Sequence, residues 1–183
     1  MLENWVWNPD ILKSLSGHYK DTGKKLPQDL LEKMIAAKNL NSGLTYSKQA
    51  FYASLDFTYH TTTVPDSTEV YRKLQDDMRL IPMTPGTHPQ ASFGHLMGGY
   101  DAAYYGYLWS EVFAHDMFAR FESEGVLNPQ LGAEYRRLIL EPGGGMDEAG
   151  QLRLFLGREP NERAFLKSIG LQTEGPGDSP GAK

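Results

Sequence analysis

Four tyrosines fall within the eight residues Tyr100 to Tyr107, inside the stretch FGHLMGGYDAAYYGYLWSEVF that runs from Phe93 to Phe113. His95 stands just ahead of them. A phenol stays protonated at neutral pH and can donate a hydrogen bond, so several that converge can stabilise a developing oxyanion. With the imidazole of His95 beside them they make a hydrogen-bonding pocket. Gly98 and Gly99 separate His95 from Tyr100, and a double glycine lets the backbone hinge or come close to a ligand. Taken alone, a tyrosine cluster reads most simply as an aromatic core stripe. Its place at a helix start, the glycines before it and the loop histidine favour a binding pocket instead.

The elements that position these residues read as helices. The spacing predicts one long helix from Asp101 to Gly125, with Tyr100, Tyr104 and Tyr107 at i, i+4 and i+7 on one face. Tyr105, Leu108 and Val112 form a second, apolar face. Asn8-Pro9 is a helix start, repeated at Asn128-Pro129. Pro27 opens PQDLLEKMIAAKNL, which Asn41-Ser42-Gly43 is expected to stop. Tyr46, Ala50, Leu55 and Phe57 give a helical pattern to the next segment, and Asp66-Ser67-Thr68 caps STEVYRKLQDDMRLI. IPMTPGTHPQASF reads as an irregular loop. Two shorter helices, MDEAGQLRLFLGR and NERAFLKSIGL, each close on a glycine. The aromatic start MLENWVW suggests that Trp5 and Trp7 lie against something, as the tail of a helix would. No strand pairs emerge, so the fold class is all-α.

Composition excludes several functions. The net charge is -5, from 18 basic and 23 acidic residues, with no Lys/Arg cluster, which argues against a nucleic-acid partner. No cysteine is present, so neither a disulfide nor a Cys-ligated metal site can form. No apolar run approaches the roughly 20 residues of a membrane span, and the N-terminus lacks signal-peptide character. A cytoplasmic location is expected. Glu111 and His115 lie one helical turn apart, but a metal needs a third ligand and none has matching spacing. His18, His60 and His88 read as isolated surface or loop histidines.

The stretch from Phe93 to Val112 resembles the C-terminal part of the thimet oligopeptidase, neurolysin and oligopeptidase A family of zinc metallopeptidases, matching FGHLxGGYDAxYYGYLWSEV at nearly every fixed position. MLENWVW, His18-Tyr19, LLEKMI, TPGT, EGVLN, YRRLILEPGG and LRLFLGREP are similar to family segments in the same order. The resemblance covers residues 1–172, and implies the C-terminal helical part of a zincin-type catalytic domain. Residues 173–183, rich in Gly and Pro, are expected to be a disordered tail.

In that family, zinc is held by the histidines of an HEFGH helix and by a glutamate on the next helix, and the motif's own glutamate is the general base. Neither segment occurs here. The resemblance therefore implies a chain that begins just after the last metal ligand, binds no zinc alone and is inactive alone. Its partners would be short peptide substrates and the missing N-terminal part of the catalytic domain. By the same resemblance, Tyr104 and Tyr107 would donate to the tetrahedral intermediate, His95 would bond the peptide backbone, and Tyr100, Gly98 and Gly99 would shape and close the cleft. At Gly145 the family commonly has a capping serine, a role open to Asp147. Two alternatives stand beside this reading: a subunit of a split peptidase, and a non-catalytic helical peptide-binding module.

Overall fold

The computed structural model describes residues 1–171, and among them every regular element is helical. The expected tail at 173–183 and the domain limit at 172 lie outside the described residues. In chain order the helices are α1 (Glu3–Val6), α2 (Pro9–Leu15), α3 (Gln28–Ala36), α4 (Ser42–Thr61), α5 (Ser67–Met78), α6 (Gly106–Glu124), α7 (Pro129–Tyr135), α8 (Glu148–Leu156) and α9 (Arg163–Ser168). A π turn, Arg136–Leu140, extends α7. Two short 3-10 turns, Pro89–Ser92 and Gly94–Met97, interrupt the loop before α6.

The start signals act through their side chains. Asn8 Oδ1 accepts from the backbone N–H of Asp10 at 3.1 Å and of Ile11 at 3.2 Å. Asn128 Oδ1 does the same for Gln130 and Leu131 at 3.0 and 3.2 Å, and its amide donates to the Glu124 carbonyl at 3.1 Å. Asp66 caps α5, and Asp147 caps α8 by accepting from the Gly150 N–H at 2.9 Å. The helix after Gly145 thus has its cap without a serine. Because the Asn128 cap satisfies donors at the start of α7 and a carbonyl at the end of α6, Asn128→Ala is expected to lower unfolding free energy by about 1–2 kcal/mol. Urea unfolding of the two proteins side by side measures it.

Two boundaries differ from expectation. Asn41-Ser42-Gly43 does not close α3, which already ends at Ala36. Asn41 adopts a left-handed conformation at φ 60°, and Ser42 and Gly43 form the first turn of α4. The long helix begins at Gly106 rather than Asp101. Residues 101–105 are turns, and Ala102 sits at φ +58°, which a continuous right-handed helix forbids. At the other end α6 stops as expected, with Gly125 at φ +111°, a conformation that a side chain would strain.

The described chain divides into two compact units, one comprising residues 1–40 with the chain from Glu111 onward, the other Asn41–Ser110. In the first, Met117, Phe118 and Phe121 of α6 form a core with Leu131 of α7 and Leu152 and Phe155 of α8. Burying each of these side chains contributes about 1.5–3 kcal/mol. Trp5 joins this core edge-on, its ring 4.9 Å from Phe118 and 4.8 Å from Phe121, with its indole N–H donating to the Val126 carbonyl at 2.8 Å. The aromatic N-terminus is therefore packed at Trp5. Trp7 is 37% exposed, with the Lys38 ammonium 5.7 Å from its ring centre. Asp116, 1% exposed, is held by both terminal nitrogens of Arg158 at 2.8 and 2.5 Å and by the Asn161 N–H at 2.9 Å.

In the second unit α4 packs on α5. Phe51, Leu55 and Tyr71 are buried between them, flanked by Tyr52, Leu74, Met78 and Phe93. The buried Gln75 amide donates to the Ile81 carbonyl at 2.7 Å, fixing the chain as it leaves α5 toward the loop.

Candidate functional site

Everything expected of the tyrosine cluster lies within the unit Asn41–Ser110. Its foundation is one face of α4, where Gln49, Tyr52, Asp56 and His60 recur at helical spacing. The loop from Phe93 onward is laid over that face. Phe93 stacks on Tyr52 with ring centres 4.6 Å apart and meets Tyr104 edge-on at 5.3 Å. Leu96 is buried and anchors the second 3-10 turn. Gly98 and Gly99 are exposed. A side chain at Gly98 would bring its Cβ within 3.0 Å of the Gly94 carbonyl, and Gly99 stands at φ +83°.

His95 lies at the centre of the cluster. Its ring is 5.3 Å from Tyr100, 5.1 Å from Tyr104 and 5.8 Å from Tyr107, each contact edge-to-face. Tyr100 and Tyr107 stack in parallel at 5.3 Å, and Tyr104 meets Tyr107 at 5.0 Å. The Tyr107 hydroxyl and His95 Nε2 are 3.3 Å apart. The Tyr104 hydroxyl donates to Gln49 Oε1 at 3.1 Å. The structure thus brings His95, Tyr100, Tyr104 and Tyr107 together, but not on one helix face. Tyr100 and Tyr104 belong to the turns before α6, and only Tyr107 lies in its first turn. Of the second predicted face, Val112 is buried whereas Tyr105 is exposed.

The turn is shaped by a residue that the tyrosine motif does not include. Asp56, 1% exposed, accepts the Ala102 N–H at 3.2 Å and the Tyr104 N–H at 3.0 Å. His60 Nδ1 stands 3.1 Å from Asp56 Oδ1 and 2.8 Å from the Asp56 carbonyl oxygen. Both neighbours are acceptors, so this nitrogen carries its proton. His60 is exposed, as expected of a surface histidine, but it is not isolated. The signal for its partner is the polar series Gln49, Tyr52, Asp56 and His60 at helical spacing, beside the apolar stripe of Phe51 and Leu55. His88 is likewise engaged, 2.9 Å from the Thr68 hydroxyl, and His18 Nδ1 accepts from the N–H groups of Lys20 and Asp21.

Tyr52, Phe93, His95, Gly98, Tyr100 and Tyr104, with Ser92 and Gly94, line an open groove of about 560 Å³. Its electrostatics favour neutral donors. Burial pushes the Tyr104 phenol above its ordinary value, with the nearby Tyr52 adding to the shift. Hydrogen bonding to Tyr100, and then burial, raises Tyr107. Both hydroxyls keep their protons at neutral pH and can donate to an oxygen that gains negative charge.

In the other unit, His115 and Glu111 are 4.0 Å apart. Among the described residues no three His, Cys, Asp or Glu side chains are grouped so as to hold a metal ion. Burial lowers the His115 pKa below its ordinary 6.5, with Glu111 opposing and Lys38 reinforcing the shift. The unfolded chain therefore takes up the proton first as pH falls, and the stability contributed by neutral His115 is present above about pH 6.5 and declines as the pH drops through the folded-state value. Unfolding free energies measured between pH 7.5 and 5 are expected to fall less steeply in His115→Gln than in the parent protein.

The sequence pattern of Peptidase family M3 matches residues 1–171. The chain is 47% identical over 175 residues to the thimet-like oligopeptidase of Dictyostelium discoideum, covering 93% of this chain and 26% of that protein. It is 41% identical over 178 residues to saccharolysin of Saccharomyces cerevisiae, covering 94% of this chain and 25% of the relative. With oligopeptidase A of Escherichia coli the identity is 39% over 177 residues, covering 93% and 26%. The chain spans about a quarter of the length of these curated relatives.

Proposed function

Since this chain belongs to peptidase family M3, we propose that it is the substrate-facing part of a metalloendopeptidase that cleaves short peptides. The observation that carries this reading is the convergence of His95, Tyr100, Tyr104 and Tyr107 beside one open groove. A peptide lying in the groove presents its scissile carbonyl to the phenols of Tyr104 and Tyr107. As water adds to that carbonyl, its oxygen gains charge, and the neutral O–H groups donate more strongly to it than to the ground state. His95 holds the peptide backbone, and Tyr100 lines the cleft. Gly98 and Gly99 allow the loop to close over the bound peptide and exclude water.

Zinc belongs to the family's chemistry, supplying the activated water. The described residues of this chain do not fit that ion, since they offer no cluster of three ligands, and no step here runs through it. The zinc site and the general base come from a further part of the catalytic domain, in the same protein or on a separate chain. Large apolar side chains left exposed in each unit, among them Leu2 at 80%, Leu80 at 87% and Met97 at 92%, support a surface that more protein covers. No helix among the described residues is long and apolar enough to cross a membrane. A cytoplasmic site of action is part of the same reading.

Complementation tests it. The 183-residue chain and a polypeptide bearing the HEFGH segment and the glutamate helix are expected to hydrolyse a quenched peptide only when combined, and the chain alone should retain no zinc. Stoichiometric zinc and peptide cleavage by the chain alone would overturn the reading. Peptide binding by the chain that survives a chelator, with no hydrolysis by the combination, would instead favour the non-catalytic binding module.

A further inference from the structure

The phenol of Tyr104 can meet a substrate only if the turn that carries it keeps its shape, and that shape is not one the local sequence favours. Ala102 has a Cβ and yet stands at φ +58°, a conformation that alanine adopts only when neighbours impose it. Residues 101–105 precede α6 and are joined by turn bonds, Ala103 N–H to the Tyr100 carbonyl and Gly106 N–H to the Ala103 carbonyl, both at 2.9 Å, neither of which uses the N–H of Ala102 or Tyr104. The N–H groups on either side of Ala103 both point to one carboxylate, Ala102 to Asp56 Oδ1 and Tyr104 to Asp56 Oδ2. That carboxylate is 1% exposed, and its remaining partner is the protonated Nδ1 of His60, one helical turn along α4.

We propose that Asp56 is a positioning residue for the peptidase reaction: its carboxylate clamps the Ala102–Tyr104 turn from below, and His60 orients the carboxylate. The inference rests on the proposed role of Tyr104 as an oxyanion donor. The geometry explains why a charged side chain is buried where a leucine would pack. The two N–H groups meet different oxygens, Oδ1 and Oδ2, so the site needs an acceptor at both positions; an apolar side chain offers neither, and an amide puts an NH2 donor at one of them. Gln49 completes the arrangement from the same face of α4 by accepting the Tyr104 hydroxyl at 3.1 Å. Backbone and phenol are thus both referenced to one rigid helix, and the hydroxyl is held ready to exchange Gln49 for a substrate oxygen.

Asp56→Asn, in the complemented peptidase, separates positioning from mere structure. Its amide puts an NH2 donor where one of the two carboxylate oxygens accepts an N–H. Turnover is expected to fall about tenfold to a hundredfold, the scale of a small misplacement of a reacting group, with KM little changed. Amide hydrogen exchange should speed up at Ala102 and Tyr104 while the amides of α5 keep their protection. In a Tyr104→Phe background, Asp56→Asn should cause little further loss, because the group it positions has gone. An equal loss in both backgrounds, or exchange accelerated throughout the unit, overturns the proposal. If Asp56→Asn does not fold, His60→Gln is read in the same two backgrounds: a severalfold loss confined to the Tyr104 background supports the clamp, and equal losses overturn it. Failure of the proposed function is distinguishable, since the combination would then show no hydrolysis, or Tyr104→Phe alone would leave turnover intact. The exchange of Ala102 and Tyr104 reports the clamp in either case.

Discussion

Tyr104→Phe is expected to lower kcat of the complemented peptidase about a hundred- to a thousandfold, the usual loss for one preorganised oxyanion donor, while KM changes little. The phenyl ring would stay where it is. Tyr104 is 7% exposed and its ring is held by Tyr52, Phe93 and His95, so only the O–H is removed. Because that O–H is protonated throughout the neutral range, its pKa being raised by burial, the loss should be independent of pH between about 6 and 8. A fall in kcat with KM unchanged marks an interaction made only in the transition state. A rise in KM at constant kcat would instead assign the hydroxyl to substrate binding. Steady-state hydrolysis of a quenched peptide, with thermal melts of both proteins to show that the fold is intact, decides between the two.

Phe155→Ala carries the largest expected effect on stability, a loss of about 3–5 kcal/mol. Phe155 is fully buried at the meeting point of α6, the end of α7 and α8. Its ring lies 5.6 Å from Tyr135 and 6.1 Å from Phe121, and the Arg120 guanidinium covers it at 4.9 Å. Arg120 also donates to the Phe155 carbonyl and to Glu134 and Glu124, so the residues around the cavity are tied in place and can collapse into it only partly. Equilibrium denaturation with the complemented protein measures the change. A loss below about 1 kcal/mol would show that the site relaxes, as loosely packed positions do.

These two residues mark the division between what sequence and tertiary structure each determine. The helix that carries Phe155 was legible in MDEAGQLRLFLGR, and the caps at Asn8, Asp66, Asn128 and Asp147 were legible because capping is a local interaction between a side chain and the next three N–H groups; that Phe155 is the residue at the centre of the core was settled by packing. The all-helical class follows from the same local rules, and the family follows from a long, specific motif spread over the chain. The same rules failed for Asp101 to Tyr105. There a helical spacing of tyrosines extended the helix too early, since periodicity cannot see a carboxylate 46 residues away that captures the Ala102 N–H.

The site shows the same limit. The sequence by itself determined which groups could donate: His95, Tyr100, Tyr104 and Tyr107, with glycines where the backbone must bend. Only the tertiary structure decided how they converge, through a turn rather than a helix face, on the polar stripe of α4 formed by Gln49, Tyr52, Asp56 and His60. The physical reason is that a donor's identity is written in its own side chain, whereas its aim depends on long-range hydrogen bonds to a buried acceptor.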